Sequence, residues 1–508
     1  MALKRSAGIL LHPTSLPGKY GIGDLGKEAY NFIDFLQSAG QNIWQVFPLG
    51  PTGYGDSPYQ CFSAFAGNPL LISPDTLISE GLLEDDFRLP EFNPEKIDFG
   101  PLINFKYSLL NKAYDKFKTM NLSIDKFCGT FCTDNSEWLE DYALFMAAKE
   151  YHNGVQWTHW EDDIAFRLPG AVDKWKTKLE DRINFHKFIQ YLFFKQWSAL
   201  RTYVNNKGID IIGDLPIFIA YDSADCWANK ELFTVDQKGK LESVAGVPPD
   251  YFSETGQLWG NPLYRWDVME KNNFRWWKKR FSNLFKLVDI VRIDHFRGFE
   301  AYWKVPGDAE TAMNGEWIKA PGEKLFKEIR KELGDLPIIA EDLGVITEEV
   351  AELRDKFNFP GIRIMQFAFG PDGEKRFLPH NFTQNCVVHT GSHDNDTTRG
   401  FFEKEQKEGT EVFSHAAKYL NCGQEEMTFA SIRAAYASCA NVVVIPMQDI
   451  LYLGNDARMN FPGKLGGNWC WRFQWNQLEE NLPGVYSDLS ELFERRTVID
   501  EKEEENGE

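Results

Sequence analysis

Residues 289–299 read DIVRIDHFRGF, so an apolar strand-like run passes at once into Arg292, Asp294, His295 and Arg297. Three other apolar runs lead the same way: to Asp214 in GDLPIF, to Glu341 and Asp342 in IIAEDLG, and to His393 and Asp394 in GSHDND. Carboxylates flanked by His and Arg suit glycosidic chemistry. One carboxylate attacks the anomeric carbon or stabilises an oxocarbenium-like transition state, and another protonates the leaving oxygen. A third would hydrogen-bond sugar hydroxyls and hold a distorted ring. Strand period puts Arg292 and Asp294 on one face, where the cation keeps the carboxylate ionised and oriented. A general acid needs a raised pKa, and the apolar Ile338, Ile339 and Ala340 leading to Glu341 are compatible with one.

Each carboxylate alone has a plainer reading as a helix N-cap or an Asx turn. Asp342 and Asp396 are read that way. Capping does not explain Glu341, a poor cap residue, or Arg292 beside Asp294. The cluster His393, Asp394, Asn395 and Asp396 alternates direction or lies in a turn, so it does not read as a metal site. No G-x-S-x-G elbow points to a serine hydrolase. No G-x-G-x-x-G follows a strand to open a helix, so a dinucleotide cofactor is unsupported.

These residues need a scaffold that brings strand ends together. Eight short β-branched or apolar runs occur, at residues 7–11, 42–47, 209–214, 288–294, 336–341, 361–366, 386–390 and 441–445. Helical patterns lie between many of them. Residues 26–38 carry Ala29, Phe32, Ile33 and Leu36 at helical spacing, and Thr347 could start a helix running to Phe357 with Glu348 and Glu349 in its first turn. Strands alternating with helices imply a parallel sheet, and eight units imply a closed (β/α)₈ TIM barrel of the α/β class. Active sites of such barrels lie at the C-terminal ends of the strands, where the charges emerge.

The spacing is uneven. The interval between the second and third runs reads as an inserted, mostly helical subdomain (about 60–205), with helices near 103–117, 137–152 and 181–204. The next interval holds a lid or insert (about 225–280). It contains SVAGVPPDYFSETGQLWGNPLYRW at 243–266, too long and too rich in Gly, Pro and aromatics for a plain connector. Residues 1–497 read as one catalytic barrel. The acidic DEKEEENGE at 500–508 belongs to a tail, 498–508, expected to be disordered.

A chain of 508 residues with net charge −20 repels phosphate backbones and anionic membranes on average, and it has no Lys/Arg-rich run. A neutral substrate fits that balance. The eight cysteines show no paired framework and read as reduced thiols. MALKRSAGILLHPTS is too short in apolar residues for a signal peptide, and no apolar run approaches a membrane span. A soluble, cytoplasmic protein is expected.

At the four charged motifs the chain resembles a known family. VRIDHFRGFEAYW, IIAEDLG, GSHDNDTTRGF and GDLPIFIAYDSAD are similar to the amylomaltases, the 4-α-glucanotransferases or disproportionating enzymes of glycoside hydrolase family 77. GILLHPTSLPGKYGIGDLG, WQVFPLGPTGYGDSPYQCFSAFAGNP, GVPPDYFSETGQLWGNPLY and NDARMNFPG resemble the same family, in barrel order over nearly the whole chain. The resemblance implies an α-retaining double displacement on 1,4-α-glucans. Asp294 would be the nucleophile, Glu341 the general acid/base and Asp394 the transition-state stabiliser. Arg292 would orient Asp294, Tyr59 would stack on the donor sugar, and Asp214, His295 and His393 would bind its hydroxyls. Tyr251, Phe252, Gln257 and Trp259 of the lid, and Asn460 of the NDARMNFPG loop, would serve the acceptor side. The partners implied are maltooligosaccharides, amylose and glucose, with no cofactor and no essential metal.

The carboxylates alone do not separate transfer from hydrolysis, because water and a sugar hydroxyl attack the same intermediate. An α-amylase-type hydrolase is the alternative. A non-catalytic glucan-binding barrel is the alternative of another class.

Overall fold

A computed structural model describes residues 3–249, 253–370, 373–464 and 466–496. Its strands are β1 (Ser6–Leu10), β2 (Ile43–Gln45), β3 (Asp210–Leu215), β4 (Ser243–Val247), β5 (Gln257–Pro262), β6 (Ile290–Ile293), β7 (Ala301–Pro306), β8 (Glu316–Lys319), β9 (Ile338–Ala340), β10 (Gly361–Ile364), β11 (Cys386–His389) and β12 (Val442–Pro446). Eight of them close a barrel in the order β1-β12-β11-β10-β9-β6-β3-β2. The pairings are parallel, as in Ser6 against Val442 and Asp214 against Arg292. The (β/α)₈ barrel read from the sequence is the fold, and all eight predicted runs are its strands.

The reason is visible in burial. Strands covered on both faces by lumen and helices carry continuous apolar runs, and β6, β11 and β12 are buried throughout. The helix Lys27–Ser38 buries Ala29, Phe32, Ile33 and Leu36, the stripe its spacing predicts. Close strand approach sets one local demand. A Cβ on Gly8 would lie 2.3 Å from the Ile43 carbonyl oxygen, so β1 and β2 pair here only with glycine.

Between β2 and β3 run the helices Phe99–Thr119, Ser136–Tyr151 and Glu180–Asn206. The last does two jobs. Its Trp197 packs on Trp44 of β2 at 6.1 Å between ring centres, and its indole N–H donates to the Leu287 carbonyl at 2.8 Å. The interval thus holds inserted helices and also the barrel's own crossover helix.

The segment 243–266 differs from a loop. β4 and β5 form an antiparallel ribbon, and β7 and β8, which follow β6, extend it into a four-stranded sheet ordered β5-β4-β7-β8. Gly256 (φ +69°) makes the turn, where a Cβ would meet the Val247 carbonyl oxygen at 2.4 Å. The ribbon was hidden because its pairing partner β7 lies some way along the chain, beyond a barrel strand. Tyr251 and Phe252, and the acidic tail 498–508, lie outside the described residues.

Asp342 does not cap a helix. It is wholly buried beneath β9 and β10, accepts the Ile362 N–H at 2.7 Å, and pairs with Arg354 and with Arg363 at 3.3 Å. Removing one partner of a buried ion pair leaves the other charge uncompensated, which costs roughly 3 kcal/mol or more. Asp342→Ala is therefore expected to lower unfolding stability by about that amount. Denaturant titration of the variant checks it, and a change under about 0.5 kcal/mol would show that the arginines re-pair.

Among the described residues no helix is long and apolar enough to cross a membrane, and the eight cysteines are free thiols.

Candidate active site

The charged side chains gather at one rim because the register aligns the strand ends. Asp214 of β3 lies opposite Arg292 of β6, and Ile293 lies opposite Ala340, so Asp294 and Glu341 follow on neighbouring strands. One Arg292 nitrogen donates to Asp214 at 2.6 Å and to Asp294 at 3.1 Å. The guanidinium is buried, so both contacts act at low dielectric. Arg297, from the same motif, turns away. It stacks on Trp317 of β8 at 3.8 Å and bonds the Val345 carbonyl, tying the second sheet to the loop after β9.

Glu341 is held by two backbone donors, the N–H of His295 at 2.7 Å and that of Leu343 at 2.9 Å. His295 reaches it by taking a left-handed backbone (φ 51°), which is uncommon outside glycine. Burial pushes the Glu341 carboxyl up to about 7; Asp294 adds to the rise, and Arg292 and the two N–H donors oppose it. A carboxyl that titrates near neutrality can give and take a proton.

Asp214 is also pushed up by burial, to about 7, against the pull of Arg292. Its Oδ2 accepts from Arg292 and from the Tyr59 hydroxyl at 3.0 Å, whereas its Oδ1 is buried without a hydrogen-bond partner among the described residues. A buried acceptor without a donor is costly. Burial and the nearby Asp214 carboxylate raise the Tyr59 phenol, which stays a donor.

His393 is buried with its ring stacked on Tyr59 (5.1 Å, 19°) and edge-on to Phe47 (4.9 Å). Burial lowers its pKa, with Asp394 opposing. Burial and Arg297 lower that of His295 to about 3. Both imidazoles are neutral at neutral pH and can bond hydroxyls without adding charge. Asp394 accepts the Asn460 side-chain amide at 2.6 Å and lies 3.5 Å from His393.

Over this rim hangs the second sheet. Trp259 of β5 sets its ring edge-to-face on His295 at 4.8 Å, and its indole N–H donates to the Gln257 side chain at 3.2 Å. The structure thus brings together Tyr59, Asp214, Arg292, Asp294, His295, Glu341, His393, Asp394, Trp259, Gln257 and Asn460. Two neighbours were not read from the sequence. Trp469 packs on Tyr59 and on His393, each at 5.7 Å. Arg458 bonds Asp396 and the Asp394 carbonyl. Arg458 sits in NDARMNFPG, so the motif was visible and the contact was not. Asp396 is accordingly one half of an ion pair.

A family model described as 4-alpha-glucanotransferase, Glyco_hydro_77, matches residues 11–478. The chain belongs to this family. A 4-alpha-glucanotransferase of Synechocystis is 50% identical over 97% of this chain and 98% of its own. That of Thermus thermophilus is 48% identical over 97% of this chain and 100% of its own. Among solved structures, an amylomaltase from Streptococcus agalactiae in complex with acarbose superposes with a TM-score of 0.93 at 40% identity, covering 97% of this chain and 100% of its own.

Proposed function

We propose that this protein transfers a segment of a 1,4-α-D-glucan to the 4-hydroxyl of an acceptor glucan or glucose. The route is a retaining double displacement through a covalent glycosyl-enzyme. Glucan transfer follows from the family. The observation that carries the route is the pair Asp294 and Glu341 on adjacent strand ends, one on Arg292 and the other with its pKa raised to about 7 by burial. Retaining chemistry uses two carboxyl groups held close together, about 5–5.5 Å apart.

Asp294 attacks the anomeric carbon, the C1–O bond to the leaving glucan breaks, and Glu341 gives its proton to that oxygen. An acceptor 4-hydroxyl then gives its proton to Glu341, attacks C1 and frees Asp294. Asp394 stabilises the oxocarbenium-like states. Tyr59, Asp214, His295 and His393 bind the donor ring. The sheet bearing Gln257 and Trp259 lines the acceptor side. The partners are maltooligosaccharides, amylose and glucose, with maltooligosaccharide, starch or glycogen metabolism as the setting. Cytoplasmic residence belongs to the same reading, and eight free thiols suit a reducing compartment.

Maltotriose tests the whole. Transfer yields glucose and a ladder of longer maltooligosaccharides with little new reducing power. Rising reducing ends without a ladder would make it a hydrolase, and no turnover a binder.

Trp259 gives a narrower expectation. An aromatic contact with an acceptor sugar is worth about 1 kcal/mol, and water needs no such contact. Trp259→Ala should therefore raise the hydrolysed fraction roughly fivefold. Reducing ends formed per glycosyl unit transferred measure it. An unchanged ratio in a folded variant would move transfer selectivity to the barrel floor.

A further inference from the structure

The segment after β11 that carries His393 and Asp394 is fastened at its ends by one buried carboxylate. Asp449 accepts from the Thr390 hydroxyl at 2.5 Å and from the Thr398 N–H and hydroxyl at 2.7 and 2.6 Å. Between those ends the Asp394 side chain is 48% exposed, so β11 alone does not hold it. Its support comes from the NDARMNFPG loop, far along the chain.

We propose that Arg458 and Asn460 are positioning residues that hold Asp394 in its working orientation, so that the loop facing the acceptor also sets the group that stabilises the transition state. The proposal rests on the role given to Asp394 above.

The contacts are reciprocal. Arg458 spends three nitrogens on three acceptors: the Asp396 carboxylate, the Asp394 carbonyl, and the Asn460 carbonyl at 2.7 Å. Its guanidinium lies on Phe461 at 4.3 Å. A planar fork with fixed donors suits that task, and a lysine ammonium cannot span it. Asn460 returns two bonds, its N–H to the His393 carbonyl at 3.1 Å and its side-chain amide to Asp394 Oδ1 at 2.6 Å. The same loop pairs Met459 with the N–H of Trp469 at 2.8 Å, and Trp469 packs on Tyr59. This segment therefore touches Asp394 and His393 directly and reaches Tyr59 through Trp469. Asn460 acts first on the enzyme's own carboxylate, and not on sugar alone.

The test uses α-glucosyl fluoride as donor with maltose as acceptor. Fluoride release reports glycosylation of Asp294, and its dependence on maltose reports acceptor binding. A positioning role predicts that Asn460→Ala and Arg458→Lys lower kcat for fluoride release on the order of 10²-fold, with the acceptor KM little changed. It predicts as well that neither substitution costs anything further in an Asp394→Ala background, since residues acting as a unit are not additive. A raised acceptor KM with normal fluoride release would overturn the proposal and make Asn460 a sugar subsite. Full additivity with Asp394→Ala would overturn it in favour of simple loop scaffolding. Should Asn460→Ala fail to fold, Arg458→Lys, which keeps a charge for Asp396, carries the same two comparisons. Normal fluoride release by Asp394→Ala itself would instead remove the role of Asp394.

Discussion

Asp294→Asn is expected to lose transfer from maltotriose by at least on the order of 10³-fold while still binding oligosaccharide. A neutral amide cannot form the glycosyl ester, and the intermediate on which both half-reactions depend is never made. The fold should survive. Asp214 remains on Arg292 at 2.6 Å, so the buried guanidinium keeps a carboxylate partner when Asp294 is neutralised. Binding should also survive, because Tyr59, Asp214 and His393 keep their contacts to one another. Glucose release and calorimetric binding of maltotetraose are the two measurements, on a preparation shown by mass spectrometry to be free of deamidated protein. Near-normal transfer would end the assignment of Asp294. Loss of binding along with activity would mean that Asp294 holds the donor, and the nucleophile would have to be sought elsewhere on the rim.

That expectation needed little beyond sequence, and the reason is physical. A barrel strand is buried on both faces, so its residues are a dense apolar run, and a charge at its end has few places to go but the rim. Val291 and Ile293 face away from Arg292 and Asp294, and period two alone says so. The eight strands were legible for the same reason. What resisted reading depends on distant pairing. β4 and β5 look like a Gly- and Pro-rich loop until β7 is laid beside them. Asp342, next to Glu341, has the composition of a helix cap. Only the fold brings Arg354 and Arg363 to it. Arg458 likewise sits in a motif that resembles the family, and its meeting with Asp394 spans two barrel strand ends. The charges at strand ends were visible from period alone, and the contacts that other strands bring to them were not.

Glu341→Gln should separate the two halves of the reaction. Gln cannot protonate the leaving sugar oxygen, so transfer from maltotriose should fall roughly 10²–10⁴-fold. Fluoride needs no such help. With α-glucosyl fluoride the C–F bond breaks, fluoride leaves as the anion, and Asp294 forms its ester to C1. The next step then stalls, because Glu341 also takes the proton from the acceptor hydroxyl. The glycosyl-enzyme should accumulate and appear in intact-protein mass spectra as one added hexose. Azide, which attacks without losing a proton, should release it. The pH profile supplies the sign. Burial raises the Glu341 carboxyl to about 7, so it holds its proton below that value and loses it above. The acid form drives departure of a sugar, and kcat/KM on maltotriose should decline as pH rises through about 7. The Gln variant has no such proton to lose, and its residual kcat/KM on maltotriose should lack that alkaline limb. Asp214, also raised to about 7 by burial, could mimic the limb in the wild type. The comparison between the wild type and Glu341→Gln on this one substrate removes that ambiguity, since Asp214 is present in both. If the variant is equally slow on fluoride and on maltotriose, with no adduct and an unchanged alkaline limb, the proton donor is another group, and the paired backbone N–H bonds from His295 and Leu343 serve to fix a structural carboxylate.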